Sequence, residues 1–238
     1  MQPYLLAPHV YSCVSGQHVV LMDLERDKYL AVVPAHRLAR WVSGWPVGAQ
    51  AADSPRDADA GTDPLVLQML AHGMLVTDPR IGKPAAPVAS VRPQRSLVEF
   101  DLDIRPSVRA ALLSRFGRSY LRARLSLKLR PIQSVVDAVR DRKARRGSRG
   151  APQADPARLR SLVTAFTRLR PLFYTLRGAC LLDSLTLLHF LSAEGIHPDW
   201  VFGVKTEPFD AHCWVQQGEV LLNDAPDRVR QYSPILIV

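Results

Sequence analysis

The amino-acid sequence predicts an α+β fold: a small winged-helix-like N-terminal module, a helical middle segment, and a C-terminal domain built on one helix and a β-hairpin. Three observations carry this reading. Short β-branched and aromatic runs fill the first 33 residues, and short helical segments follow them. Prolines then interrupt the chain near residue 80. Beyond them, an arginine-rich helical region leads into a leucine-striped helix and two strand-like runs. At 238 residues and 47% apolar content, the chain can bury a core and has room for two small domains.

The first strands are HVYSC, HVVLMDL and KYLAVV, separated by Ser15-Gly16 and by Glu25-Arg26-Asp27. The spacing then predicts a helix over residues 35–43, ended by Gly44 and Pro46. A polar, Ala/Asp-rich stretch covers 48–62. A second helix is expected over 63–72, with Asp63 as its cap, Pro64 in its first turn and Gly73 after its end. Pro79, Pro84, Pro87 and Pro93 make residues 78–94 unable to sustain a helix or an interior strand, so a linker is expected there. The predicted layout is a module over 1–80, a linker over 81–97 and a second domain over 98–238.

Residues 105–149 hold twelve Arg and two Lys against only Asp137 and Asp141. Val108, Leu112, Leu113 and Phe116, then Leu121, Leu125 and Leu129, recur at helical spacing, and Pro131 starts another helix. This basic helical pair is either a solvated face or a docking face for an acidic partner or a phosphate. Almost no aromatic residues lie between the arginines, which argues against nucleic acid. A mobile loop is expected over 143–152, and Asp155-Pro156 caps a further helix reaching Leu169.

The N-terminus shows no basic region followed by a long apolar run, so no signal peptide is expected, and no stretch is long enough to cross a membrane. Three cysteines in such a chain read as reduced thiols of a cytoplasmic protein. No Cys/His pair has zinc-site spacing, and no metal or other cofactor is expected.

The run RGACLLDSLTLLHFLSAEG places Cys180 in the first turn of a helix whose Leu181, Leu185, Leu188 and Leu191 form one apolar stripe. Unpaired N–H groups and the positive dipole end stabilise a thiolate at that position. Two strand-like runs follow, over 199–205 and 211–216, and a tight turn at Gln217-Gly218 leads from the second into 220–224, a hairpin with His212 on its first arm and Asp224 at the end of its second. A carboxylate there can orient the imidazole, leaving its other nitrogen for the thiol. Singly, each residue has an ordinary structural reading. Together, a helix-start Cys, a strand His and a hairpin Asp follow the order of the papain-like and transglutaminase-like cysteine proteases. Cys213 adjoins His212 on a strand and is expected to face the core, while Trp214 shares the His212 face and is expected to wall the cleft. Asp183 is either an acid supporting the site or a helix N-terminal charge.

The run from Cys180 to Asp224, above all PFDAHCWVQ and LLND, resembles the lasso-peptide B protein, a transglutaminase-like leader peptidase. The resemblance covers roughly residues 169–227. It implies catalytic roles for Cys180, His212 and Asp224, a precursor peptide as substrate, and an asparagine-synthetase-like cyclase as partner. The first 80 residues are similar to the PqqD-like element that binds leader peptides. That similarity implies strand addition of the leader along Lys28, Tyr29, Leu30, Ala31 and Val32, with packing on Leu67, Leu70 and Met74. Competing readings are an inert peptide-binding adaptor, a transglutaminase-type acyl transferase, and a nucleic-acid-binding protein.

Overall fold

The computed structural model describes residues 3–47, 63–98, 110–147, 155–175 and 178–238. The polar stretch 48–62 and the second half of the loop expected over 143–152 lie outside them. The chain divides into two compact units: residues 1–89 with 204–210 and 233–236, and residues 90–203 with 211–232 and 237–238.

In the first unit, β2 (Val10–Ser15), β3 (His18–Asp23) and β4 (Lys28–Val32) form an antiparallel sheet in that order. Gly16, at φ 58°, makes the first turn. At the second turn, the Asp23 carboxylate accepts from the N–H groups of Glu25 and Arg26, and Asp27 takes φ 52°. β1 (Leu5–Leu6) pairs with β5 (Leu75–Val76), which follows α1 (Pro64–Ala71). Asp63 caps α1 by accepting from the Leu65 N–H, with Pro64 at the first position.

The helix expected over residues 35–43 is a 3-10 turn, Ala35–Leu38. Its continuation is drawn into a bridge with Tyr4: Tyr4 N–H donates to the Trp41 carbonyl, and Ser43 N–H to the Tyr4 carbonyl. Those bonds take backbone groups that a longer helix would have used itself. Residues 78–89 lack regular structure, yet Ala85 is fully buried and accepts from the Ser12 hydroxyl.

The core of this unit gathers Val10, Val19, Leu21, Val32, Leu38, Val66, Met69 and Met74. Two residues expected to meet a leader peptide therefore point inward. Met74 is 6% exposed and the Val32 side chain is fully buried, because both fill the space beneath the sheet. Leu67, at 48% exposure, is open to solvent.

A second sheet, of order β10-β7-β8-β9-β6, is formed by β6 (Arg95–Ser96), β7 (Asp199–Thr206), β8 (Phe209–Gln217), β9 (Val220–Leu221) and β10 (Ser233–Ile237), and the remaining helices belong to the second unit. The helices are α2 (Ala110–Leu129), α3 (Ile132–Gly147), α4 (Pro156–Leu169), α5 (Cys180–Ser192) and the short α6 (Pro226–Val229). α3 thus continues into the first residues of the expected loop. One leucine stripe was the expectation for α5, but its residues 183–191 are all buried. It is a central helix, enclosed on every side. Phe116 of α2 contacts Phe166, Phe173 and Phe190, which ties α2, α4 and α5 into one aromatic core. No described helix is long and apolar enough to cross a membrane.

Candidate active site

Cys180 is the first residue of α5, after the non-helical Ala179 and after Gly178 at φ 65°. It is half-buried and, like Cys13 and Cys213, free. β8 carries His212, which is 7% exposed. Asp224 follows β9 on the return arm. The hairpin turn is Gly218-Glu219, with Gly218 at φ 57°, and Gln217 opposes Val220 across it. The return strand ends early. Leu222 N–H still donates to Val215 O, and the Val215 N–H then donates to the Asn223 side chain at 2.8 Å. That substitution of an amide oxygen for backbone releases the chain to bring Asp224 against His212, where Nε2 and the carboxylate lie 2.5 Å apart.

With Nε2 engaged, Nδ1 is left for the sulfur, and the imidazole acts on the ionisation of the Cys180 thiol. The Cys180 pKa falls to about 4: a hydrogen bond from the Cys213 thiol lowers it most, burial opposes, and His212 and the Cys213 N–H lower it further. Burial lowers the His212 pKa, but the Asp224 and Cys180 hydrogen bonds and charges together outweigh it and raise the value to about 9. The pair is therefore a thiolate and an imidazolium at neutral pH. This is an activated nucleophile beside a proton donor.

Cys213 lies on the core side, 2% exposed, and burial raises its pKa first, the neighbouring Cys180 sulfur next. This is the core-facing side that strand alternation predicts, and from it the Cys213 thiol and N–H lower the Cys180 pKa. Trp214 does not line an open cleft. At 1% exposure it packs with Val201, Leu221, Val229 and Tyr232, and its ring backs His212 at 6.2 Å. Its size and apolar surface place it in the core.

Several supporting residues carried no signal of their own in the sequence. Asn223 donates to Asp183 at 2.8 Å and to the Ser184 hydroxyl at 3.1 Å, joining the hairpin arm to α5. Asp183, 2% exposed, also accepts from Tyr174 at 2.9 Å and pairs with Arg170 at 3.5 Å. Burial raises its pKa, and Arg170, Asn223 and Tyr174 oppose that rise. The Ser96 hydroxyl of β6 donates to the Asp224 carbonyl at 2.7 Å. Of this set, Asp183 was singled out by its place one turn beyond Cys180, and only adjacency to Asp224 could have drawn attention to Asn223. Among the described residues, no group of three or more His, Cys, Asp or Glu could hold a metal ion.

Comparison with known proteins gives three findings. A family profile described as the Transglutaminase-like superfamily matches residues 113–237. The chain is similar to the microcin J25-processing protein McjB of Escherichia coli, 42% identical over 59 residues. That match spans 25% of this chain and only 28% of that relative. No solved structure matches the chain.

Proposed function

The chain belongs to the transglutaminase-like superfamily, and from that premise we propose that it is a cysteine peptidase that removes the leader of a ribosomally made lasso-peptide precursor. The observation that carries this is the Cys180–His212–Asp224 constellation, with its thiolate–imidazolium pair. The partial similarity to a protein named for processing microcin J25 supports the substrate class.

In this reading the Cys180 thiolate attacks the scissile carbonyl and forms a C–S bond. The Cys180 N–H, at an open helix start, donates to the developing oxyanion. His212 gives its proton to the leaving amine as the C–N bond breaks, leaving a thioester. His212, now neutral, takes a proton from water as the water oxygen attacks the thioester. Collapse releases the carboxylate and restores the ion pair. Asp224 keeps Nε2 protonated and the ring aligned throughout.

The first unit supplies recognition as a PqqD-like module. β4 ends its sheet, with β3 as its neighbour on one side and no further strand on the other among the described residues. A leader adds there as an extra strand and rests on Leu67 and Leu70. Tethering raises the effective concentration of the scissile bond. An asparagine-synthetase-like cyclase then closes the macrolactam.

Mass spectrometry of a cognate precursor incubated with wild type and with Cys180→Ser tests the reading. The expected result is a leader and a core peptide with a new amine terminus, formed by wild type alone. Cleavage that persists in Cys180→Ser overturns it. A cross-linked product in place of hydrolysis assigns the same thioester to acyl transfer.

A further inference from the structure

We propose that the groove between α2, α3 and α5 docks an acidic amphipathic helix of a partner protein. The groove encloses about 460 Å³, and its floor includes Leu121, Leu125 and Leu129 of α2, Val135 and Val139 of α3, and Leu185 of α5. The three α2 leucines are 55%, 45% and 71% exposed. Spaced four residues apart, they form a ridge about 12 Å long. Leucine side chains left open in a row on one helix face mark a surface that another chain covers. A row at this spacing is the ridge that a second helix packs across.

The rim is basic throughout. Arg118, Arg122, Arg130 and Arg142 line the groove, and no Asp or Glu does among the described residues. Arg118, Arg122 and Arg130 form no ion pair among the described residues. Arg142 instead donates to Nδ1 of His189 at 3.1 Å. His189 is 7% exposed and kept neutral by burial and then by Arg142 and Arg122, so it neither balances nor adds charge. Like charges crowd one another here: burial, then Arg122 and Arg145, lower the pKa of Arg142.

An aliphatic floor under an uncompensated arginine rim matches a helix with leucine-like anchors flanked by Asp or Glu. Nucleic acid fits less well, because no aromatic residue lines the groove to stack a base. The Cys180 site contributes no residue to the groove, so the proposal stands apart from the peptidase reading.

The test is fluorescence anisotropy with the full chain. The probe is a labelled helical peptide of about 18 residues, with Leu at three- and four-residue spacing and Glu on both flanks. Beside it run the same peptide with Lys for Glu, a DNA duplex, and phosphatidylglycerol vesicles. The acidic peptide should bind saturably and weaken about tenfold or more in Leu125→Glu and in Arg130→Glu, a loss of at least about 1.4 kcal/mol. A photo-crosslinking amino acid in place of Leu129 should capture it. Leu129→Glu, at the more exposed position, repeats the test if Leu125→Glu does not fold. Equal binding of the Lys peptide, affinity unchanged in the folded leucine variant, or tighter binding of DNA or vesicles would each overturn the proposal.

Discussion

Hydrogen bonding and charge act against burial at Cys180 and His212, and together they prevail at both. Burial alone would keep the thiol protonated and the imidazole neutral. The Cys213 thiol and N–H, the imidazole and the Asp224 carboxylate reverse that, and the limits fall near about 4 for Cys180 and about 9 for His212. The sign of the pH dependence follows. Below the lower limit the sulfur takes a proton and ceases to be the nucleophile. Above the upper limit the imidazolium loses the proton that the leaving amine needs. A profile of kcat/KM against pH should therefore be a broad bell with a plateau from about pH 5 to 8 and limbs near those values. A single ascending limb near the ordinary thiol pKa would show that the ion pair does not form. These residue types were legible in the sequence because a helix start, a strand and a hairpin end are local features. The role of Cys213 was not, since its approach to Cys180 depends on how α5 lies across β8.

At the scale of elements, two contacts decide whether the site keeps its shape. Asn223 substitutes its side chain for backbone at the end of β9 and holds α5 through Asp183 and Ser184. Asn223→Ala removes three hydrogen bonds and leaves buried partners unsatisfied, at about 1–3 kcal/mol each at most. It should lower the melting temperature and, by freeing Asp224, reduce kcat by about tenfold or more while KM changes little. Steady-state kinetics beside a thermal melt separates this positioning role from one that is structural alone, which would leave kcat of the folded fraction intact. Gly203 of β7 lies beneath Trp214: an added Cβ would meet the indole at 2.9 Å and Tyr232 at 3.0 Å. Gly203→Ala should cost about 1–3 kcal/mol, read as a fall of several degrees in thermal unfolding; an unchanged melt would mean that the ring has room to move. Both Asp-Pro helix starts could be read from sequence, since cap chemistry is local, and so could the hairpin, although its turn falls at Gly218-Glu219, one residue later than the expected Gln217-Gly218. The shortened helix after Pro34 could not, because distant Tyr4 claims its backbone.

For the whole molecule, the proposed division of labour separates affinity from chemistry. Leu67 on α1 is exposed and belongs to the first unit, whereas the cysteine, histidine and aspartate belong to the second. Leu67→Glu should raise KM for a full precursor about tenfold or more while leaving kcat, and cleavage of a short peptide spanning the scissile bond, unchanged. Kinetics with both substrates checks this, and equal losses on the two would remove Leu67 from leader recognition. The sequence by itself determined the order of elements and the chemical kinds at the site: periodicity, caps and turn residues act over a few positions. Only the tertiary structure decided which of those side chains meet. Asp183 joins Asn223 across 40 positions of chain, Trp214 turns into the core, and Met74 fills space beneath a sheet built from residues far before it. Such outcomes depend on the packing of elements remote in sequence, where burial and hydrogen-bond satisfaction are settled by the molecule as a whole.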